Sequence, residues 1–583
     1  MSETNLKELI RWADENGVFI HEKLGFEYRI GHGVSCIIKK PILDSERRGL
    51  IKVPKRLIIS PEIADDFAVK YLQGMAIDTE DINRNLIFFL AKMKFDELSQ
   101  DYIHLKPYID YLPHDGKSTG NPYFWTMEEK ELLEGTDTAI FMKRNFLRDL
   151  ENWKASVSQL DVNEHPQLKD ELLEYEAFKM GPVGGVAVDY LLNKKKISWT
   201  SFTAYLWAKC IISSRAFPYL LWVGENSKYK NHAFMLPIVD LLNSEDCNNS
   251  KCSWTVENGC FVFTTLDDVD KLEEGSELYN NYGDKSNVEF LLNYGFCMKD
   301  NTKDITTLTL KIDAAVIKGA KDYGVSIPED STEDSVNYVL KRDQPIPPNL
   351  INLFAYLVKL KSERKGFTLR MKLEGLAQLK AIIKTKLRTI KSVTVIESSS
   401  VSPVNAKTIK TYRKSQKDIF QKTLDDIEKL EKNLLTKFKP FSFKKALTQD
   451  TRFMNAFLVV FGTRTYNDLL EKELIDHAVL LWIMRIANKD SYNLEELPDA
   501  SVLPQFVYQE FERVKKSVVV DNDDIAEYLP MYETLFPALC EKVPSVFGRG
   551  NWTLNYLIYA ATVSDRLTYK RESSGEVFFI KPT

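Results

Sequence analysis

Leu236-Pro237-Ile238-Val239-Asp240-Leu241-Leu242-Asn243, followed by Asn281-Tyr282-Gly283 and Asn293-Tyr294-Gly295-Phe296, are the stretches on which the reading of this chain turns. The segment from Gly275 to Phe296 gathers Tyr279, Tyr282, Tyr294 and Phe296 around Gly283 and Gly295. Aromatic rings beside glycines make a narrow slot. Tyrosine offers an apolar wall and a single hydroxyl together, which suits a channel for an aliphatic stem that ends in an amine. By composition alone, the same residues read sooner as an aromatic core.

Around this segment the pattern is that of an α+β protein. Leu6 to Phe19 reads as a short helix running into a glycine turn, and Phe26 to Lys40 alternates apolar and polar residues around Gly31 and Gly33, as paired strands do. Ile51 to Ser60 is extended, with Pro54 in its middle, and from about Glu62 to Leu192 the period becomes helical. A helix over Ser201 to Ile212 precedes strand character at Trp254 to Thr265 and at Glu277 to Asn280. Beyond residue 310 the chain reads helical. Leu376, Leu379, Ile383, Leu387 and Ile390 form one stripe, and Phe420, Leu424, Ile427, Leu430 and Leu434 another, the second flanked by the i,i+4 pairs Asp425 with Lys429 and Glu428 with Lys432. Ser392 to Val404 reads as an exposed linker between them.

The 583 residues carry 78 Lys and Arg against 83 Asp and Glu, a balance that argues against a dedicated nucleic-acid coat. The charge is nonetheless segregated: residues 351–450 hold 23 Lys and Arg against 9 Asp and Glu. Such a run is either the solvated face of amphipathic helices or a docking surface for RNA or an acidic partner; Lys410, Arg413, Lys414 and Lys417 are its expected exposed charges. Seven cysteines without paired spacing fit a reducing compartment. Glu3, Lys7 and Glu8 interrupt any apolar core at the start, and the longest apolar stretches, around Leu86 to Leu90 and Ala478 to Met484, fall short of the roughly 20 residues a spanning helix needs. A cytoplasmic or nuclear location is expected.

Three kinds of chemistry are set aside on sequence grounds. Cys247, Cys252 and Cys260 lack a fourth ligand and any CxxC, so no metal is expected and they read as ordinary thiols. Gly31-His32-Gly33 has no third glycine at the dinucleotide spacing; it is a plain turn or a place where backbone approaches a ligand closely. No GxSxG nucleophile elbow occurs.

Read together, Gly31-His32-Gly33, Ile51-Lys52-Val53-Pro54, Ser214-Arg215-Ala216-Phe217, Leu236 to Asn243, Asn281-Tyr282-Gly283 and Asn293 to Phe296 resemble, in order, spacing and residue type, a split SET-domain protein-lysine methyltransferase. Pro107 to Pro113, Trp125 to Glu129 and Leu133 to Thr136 resemble the insertion of the Rubisco methyltransferase group. Among subgroups the chain looks closest to fungal ribosomal-protein lysine methyltransferases, with cytochrome c lysine methyltransferase a near relative. The resemblance implies a SET β-fold interrupted by a helical insertion and followed by an all-α substrate-binding domain: 1–70 as the first SET part, 71–195 as the insertion, 196–310 as the second SET part with the catalytic motifs, and 311–583 as the helical domain.

Carried over by position, the resemblance implies that Ile30, Gly31, His32, Gly33, Arg215, Asn243 and Ser244 hold S-adenosylmethionine, that Tyr294 is catalytic, and that Tyr282, Phe296 and Asp240 line the lysine channel. Ser244 stands where the family usually has His. The cysteine cluster that follows many histone-directed SET domains is absent, since Cys540 is the sole Cys after Cys297. A non-histone substrate is implied, foremost a cytosolic ribosomal protein, with a ribosomal RNA contact through 351–450; the alternatives are cytochrome c as substrate, a non-catalytic SET-like protein-binding module, for which Ser244 is the motive, or a ribosome-binding scaffold. The chemistry accounts for the residue types. Only a neutral amine is nucleophilic, and deprotonating a free lysine at pH 7 costs about 4.6 kcal/mol; an apolar aromatic channel lowers that cost by desolvating the ammonium.

Overall fold

The computed structural model describes residues 3–29, 33–72, 81–96, 102–180, 197–245, 250–364, 366–395 and 400–582. Ile30, Gly31, His32 and Cys247, singled out above, lie outside them. The chain forms two compact units, one of residues 1–307, 340–344 and 386–421, the other of 308–339, 345–385 and 422–583.

The first unit is built on short antiparallel strands. Strands β1 (Phe19–Ile20), β4 (Ile51–Pro54), β8 (Cys260–Thr265) and β7 (Cys252–Glu257) form one sheet in that order, while β2 (Leu24–Arg29) pairs with β3 (Gly33–Ile38) and β5 (Ala216–Pro218) with β6 (Ala233–Met235). The extended run expected to Ser60 stops at Pro54, where a 3-10 turn over Lys55–Leu57 begins; proline has no N–H to continue a ladder. Trp254 to Thr265 is not one strand but a hairpin, turned by Asn258 and Gly259 at φ 50° and 74°, the two-residue turn that an Asn-Gly pair favours. Glu277 to Asn280 contributes only single bridges, Glu277 to Ile37 and Asn280 to Ser244.

The insertion is helical, and its helix Arg84–Phe95 packs against Phe202–Arg215 at the start of the second SET part. Phe88, Tyr205, Trp207 and Trp153 are buried in the core these helices share with the sheets. Residues 386–421 belong to this unit too. Glu129 accepts from the Ser402 N–H (3.0 Å) and from the Asn405 amide (2.9 Å). Arg413, expected on the surface, is buried, and its guanidinium donates to the carbonyls of Leu132 and Glu134 (each 2.9 Å) and of Ile390 (2.6 Å). A buried guanidinium needs such acceptors, so Arg413 is a structural clamp.

The second unit is mainly helical but not all-α. Ile305–Lys311 pairs with Ser335–Lys341, and Phe441–Ser442, Val577–Phe579 and Thr568–Lys570 make a three-stranded sheet. The first pair follows from alternation: Val336, Tyr338 and Leu340 are buried while Val339 and Lys341 are exposed, the period-2 pattern of a half-buried strand. Leu376, Leu379, Ile383, Leu387 and Ile390 are all buried along the helix Leu369–Ser392. In the helix Pro403–Phe438, Glu428 accepts from Lys380 (2.9 Å). Among the described residues no helix is long and apolar enough to cross a membrane.

Candidate active site

The site is assembled on a strained turn. Ile238, a β-branched residue, sits at φ 73°, a conformation that costs of order 1–3 kcal/mol and persists only where surrounding packing imposes it. Here Leu236, Ile238, Val239 and Leu242 are fully buried. The turn drives Val239–Leu241 into a 3-10 helix, sets the Asp240 carboxylate inside the protein and carries Asn243 to the end of β3. Asn243 donates its amide N–H groups to the Val34 carbonyl (2.7 Å) and to Glu277 Oε1 (2.8 Å), and its own carbonyl accepts from Asn280 (2.7 Å). Its donors are spent inside the fold, so what it can offer a ligand is its amide oxygen.

The second part is the helix Asn287–Tyr294. Its start is fixed by a capping box, with Ser286 accepting from the Glu289 N–H and Glu289 accepting from the Ser286 N–H. Its end is fixed by Gly295 at φ 79°. A side chain there would also stand 2.5 Å from the carbonyl oxygen of Gly120, so glycine is required twice over. The last carbonyls of the helix are held from outside: Asn121 donates to Leu292 (2.6 Å) and Ser213 to Asn293 (3.2 Å). Tyr294 is thereby placed at a locked helix terminus.

Its ring stacks on Tyr282, centroids 4.7 Å apart and planes 13° from parallel, with Phe296 at 6.0 Å and nearly edge-on. The Tyr282 hydroxyl donates to the Leu242 carbonyl (3.0 Å). Among the described residues the Tyr294 hydroxyl has no such partner. Burial pushes the Tyr294 phenol up to about 12 and that of Tyr282 well above its ordinary range, so both stay neutral donors and neither is a base at neutral pH.

Two cavities, of about 220 and 420 Å3, meet at this point. Val34, Asn243 and Phe296 help to line the smaller, Trp254, Asn281 and Gly283 the larger, and Ser214, Arg215, Asp240, Tyr282 and Tyr294 stand in the walls of both. Arg215 Nη1 lies 3.3 Å from both the Asp240 carbonyl and its Oδ2, and Tyr108 donates to the same Oδ2 (2.8 Å). Burial pushes the Asp240 carboxyl up, against the pull of Arg215 and Tyr108. Burial works against the Arg215 charge, but Asp240 together with Tyr108, Tyr282 and Tyr111 outweighs it and holds the guanidinium protonated.

The structure thus gathers Gly33, Arg215, Asp240, Asn243, Tyr282, Tyr294 and Phe296 into one locus, with Ser244 beside it, bridged to Asn280. The smaller cavity suits an amphipathic cofactor. Val34, Pro113, Ile211, Leu241 and Phe296 give it apolar walls, Ser118, Thr119, Arg215 and Asn243 give it polar ones, and a side chain on Gly33 would meet nothing within 4 Å. Tyr108, Ser118, Thr119 and Ser214 were not singled out from sequence. For Tyr108 the signal was there, in the Pro107 to Pro113 motif with tyrosines one helical turn apart.

The family described as the EFM1 middle domain matches residues 305–438. The chain is 33% identical to the protein-lysine N-methyltransferase EFM1 of Saccharomyces cerevisiae, over 100% of this chain and 98% of that protein. It is 27% identical to ribosomal lysine N-methyltransferase 1 of the same yeast, over 91% and 94%. Among solved structures, Rubisco LSMT bound to AdoMet superposes with a TM-score of 0.50 at 17% identity, over 74% of this chain and 93% of that one, a likeness of fold.

Proposed function

Because the chain belongs to the S-adenosylmethionine-dependent SET-domain protein-lysine N-methyltransferases, we propose that it methylates a lysine of a cytosolic ribosomal protein, with Tyr294 as the hydroxyl that orients the amine. The observation that carries the site assignment is the wall of Ser214, Arg215, Asp240, Tyr282 and Tyr294 common to two cavities. An in-line displacement needs donor and acceptor to approach one point from two sides, and that wall is such a point.

S-adenosylmethionine, when bound, supplies an electrophilic methyl group on a sulfonium. Gly33, Arg215, Asn243 and Ser244, with Ile30, Gly31 and His32, would hold it. The residues of this chain then do three things. The stacked Tyr282 and Tyr294 rings desolvate the lysine stem and favour the neutral amine. The Tyr294 hydroxyl, free of other bonds, orients the amine lone pair, a contribution of geometry. Asp240, at the inner end, offers a carboxylate oxygen to the incoming nitrogen.

The ribosomal assignment is supported by the ribosomal lysine N-methyltransferase of yeast that is 27% identical, and by the basic composition of 351–450. We take residues from 311 onward as the part that selects the substrate, since a lysine channel reads only a side chain and its neighbours. The test is labelling with tritiated S-adenosylmethionine of three acceptors: salt-washed ribosomal subunits, ribosome-free cytosol and purified cytochrome c. Label on a ribosomal protein is expected; label confined to either of the other two refutes the substrate, and none on any refutes the reading.

A further inference from the structure

Resting on that reading of the site, we propose that Tyr108, supplied by the helical insertion, is a positioning residue that aims the Asp240 carboxylate into the wall between the two cavities. Tyr108 lies in the short helix Lys106–Tyr111, fully buried and 132 residues from Asp240 in sequence. Its hydroxyl donates to Oδ2 at 2.8 Å. Arg215 Nη1 reaches that oxygen too, at 3.3 Å. The other oxygen, Oδ1, is buried and has no hydrogen-bond partner among the described residues.

Both donors therefore pull on one oxygen and leave the second as an uncommitted acceptor. Buried acceptors in folded proteins are nearly always paired, and an unpaired one in the wall of two cavities is a place kept for a ligand donor. A lysine arriving with protons on its nitrogen is such a donor. The carboxylate has one torsion to lose, and without the shorter of its two bonds it can swing toward Arg215. Tyr108 suits the task because burial and the Asp240 charge raise its phenol far above neutrality, so it stays a donor throughout. The neighbouring Tyr111 hydroxyl is buried too, but it makes no hydrogen bond to Asp240 among the described residues.

The other groups that act on Asp240 are Arg215, Tyr111 and Tyr282, and none of them changes charge between pH 6 and 9, the range that the test spans, because burial pushes the Tyr111 phenol up to about 12 and that of Tyr282 higher still, and Arg215 is raised as well. The hydrogen bond from Tyr108 favours the ionised carboxylate. Its removal raises the pH at which Asp240 ionises.

The test uses the full-length protein, tritiated S-adenosylmethionine and, as acceptor, total protein from cells lacking this enzyme. Initial rates are read from pH 6 to 9 for the wild type, Tyr108→Phe, Asp240→Asn and the double variant, with S-adenosylmethionine affinity measured by calorimetry. We expect Tyr108→Phe to lower the saturated rate about tenfold at pH 7, with the acid limb moved up by about one unit and cofactor affinity within twofold. In the Asp240→Asn background the same change should cost less than twofold. A wild-type rate with an unmoved limb overturns the proposal. So does the same tenfold loss without Asp240, which would make Tyr108 a packing residue. Should Asp240→Asn be too slow to read, the limb decides alone. A fully active Tyr294→Phe would refute the site reading itself, independently of Tyr108.

Discussion

Gly295→Ala isolates the geometry that fixes Tyr294. Two penalties are superposed there. At φ 79° an alanine pays the left-handed cost of about 1–2 kcal/mol, and its Cβ would stand 2.5 Å from Gly120 O and 2.7 Å from Gly120 C. That 2.5 Å must open to at least 3.4 Å for ordinary contact, so the backbone has to give by about 0.9 Å; overpacking of this kind adds about 1–3 kcal/mol. Gly275→Ala is the control, at φ 85° with nothing within 4 Å, and carries the first cost alone. Urea unfolding should therefore separate the two variants by at least about 1 kcal/mol. The rate should separate them further. A misplacement near 1 Å at a reacting group costs about 100-fold, so Gly295→Ala should lose methyl transfer by that order while Gly275→Ala keeps it. Equal stability and equal rates for the two would refute the claim that the close approach of Gly120 holds the catalytic helix end.

Tyr294→Phe should abolish most methyl transfer and leave the fold and cofactor affinity intact; near wild-type turnover would reject its role. Asn243→Ala should weaken S-adenosylmethionine binding and lower stability by about 1–3 kcal/mol, since the Val34 carbonyl and Glu277 both lose a donor; calorimetry and unfolding test each half. Lys130 is buried and donates to the Tyr123 carbonyl (2.8 Å), and burial lowers its ammonium to about 7. From pH 7 upward the unfolded chain binds the proton that the folded one has released, so stability rises with pH by up to about 1.4 kcal/mol per unit until the unfolded lysine titrates. Lys130→Met should lose that rise between pH 7 and 9, and parallel curves would contradict it. Reversing Lys407, Lys410, Lys414 and Lys417 should raise the apparent KM for ribosomal subunits but not for a peptide; equal losses would place the damage in the catalytic half.

The parts of the site legible in the sequence are those in which backbone constraint and chemistry coincide within a few residues. Gly295 next to Tyr294 is one, since a left-handed cap needs glycine and the ring proposed to orient the amine needs a fixed helix end. Asp240 to Asn243 is another, where a run of buried apolar residues forces a strained turn that carries two polar side chains. The Asn258-Gly259 hairpin and the Ser286-to-Glu289 capping box are equally local, and their signals were present but not read. The strands at 305–311 and 335–341 were missed for a different reason. Short alternations bordered by long helical stripes are outweighed when the period is judged over a long window, although Val336, Tyr338 and Leu340 carry it plainly.

What no local pattern reveals is a contact whose partners are far apart in the chain. Arg413 reads as one more charge in a basic helix until the carbonyls of Leu132, Glu134 and Ile390 are seen around it. Tyr108 reads as insertion filler until its hydroxyl meets Asp240. The same insertion supplies Asn121 to the helix end that bears Tyr294, and Gly120 to the close approach that excludes a side chain at Gly295. Asp240 and Tyr294 sit on the second SET segment, but part of what fixes their angles comes from the insertion. A swap of the insertion alone, with every motif on the SET segments kept, should therefore lower the rate of methyl transfer through the direction of Asp240 and Tyr294, and weaken S-adenosylmethionine binding as well, because Pro113, Ser118 and Thr119 of the insertion line the smaller cavity.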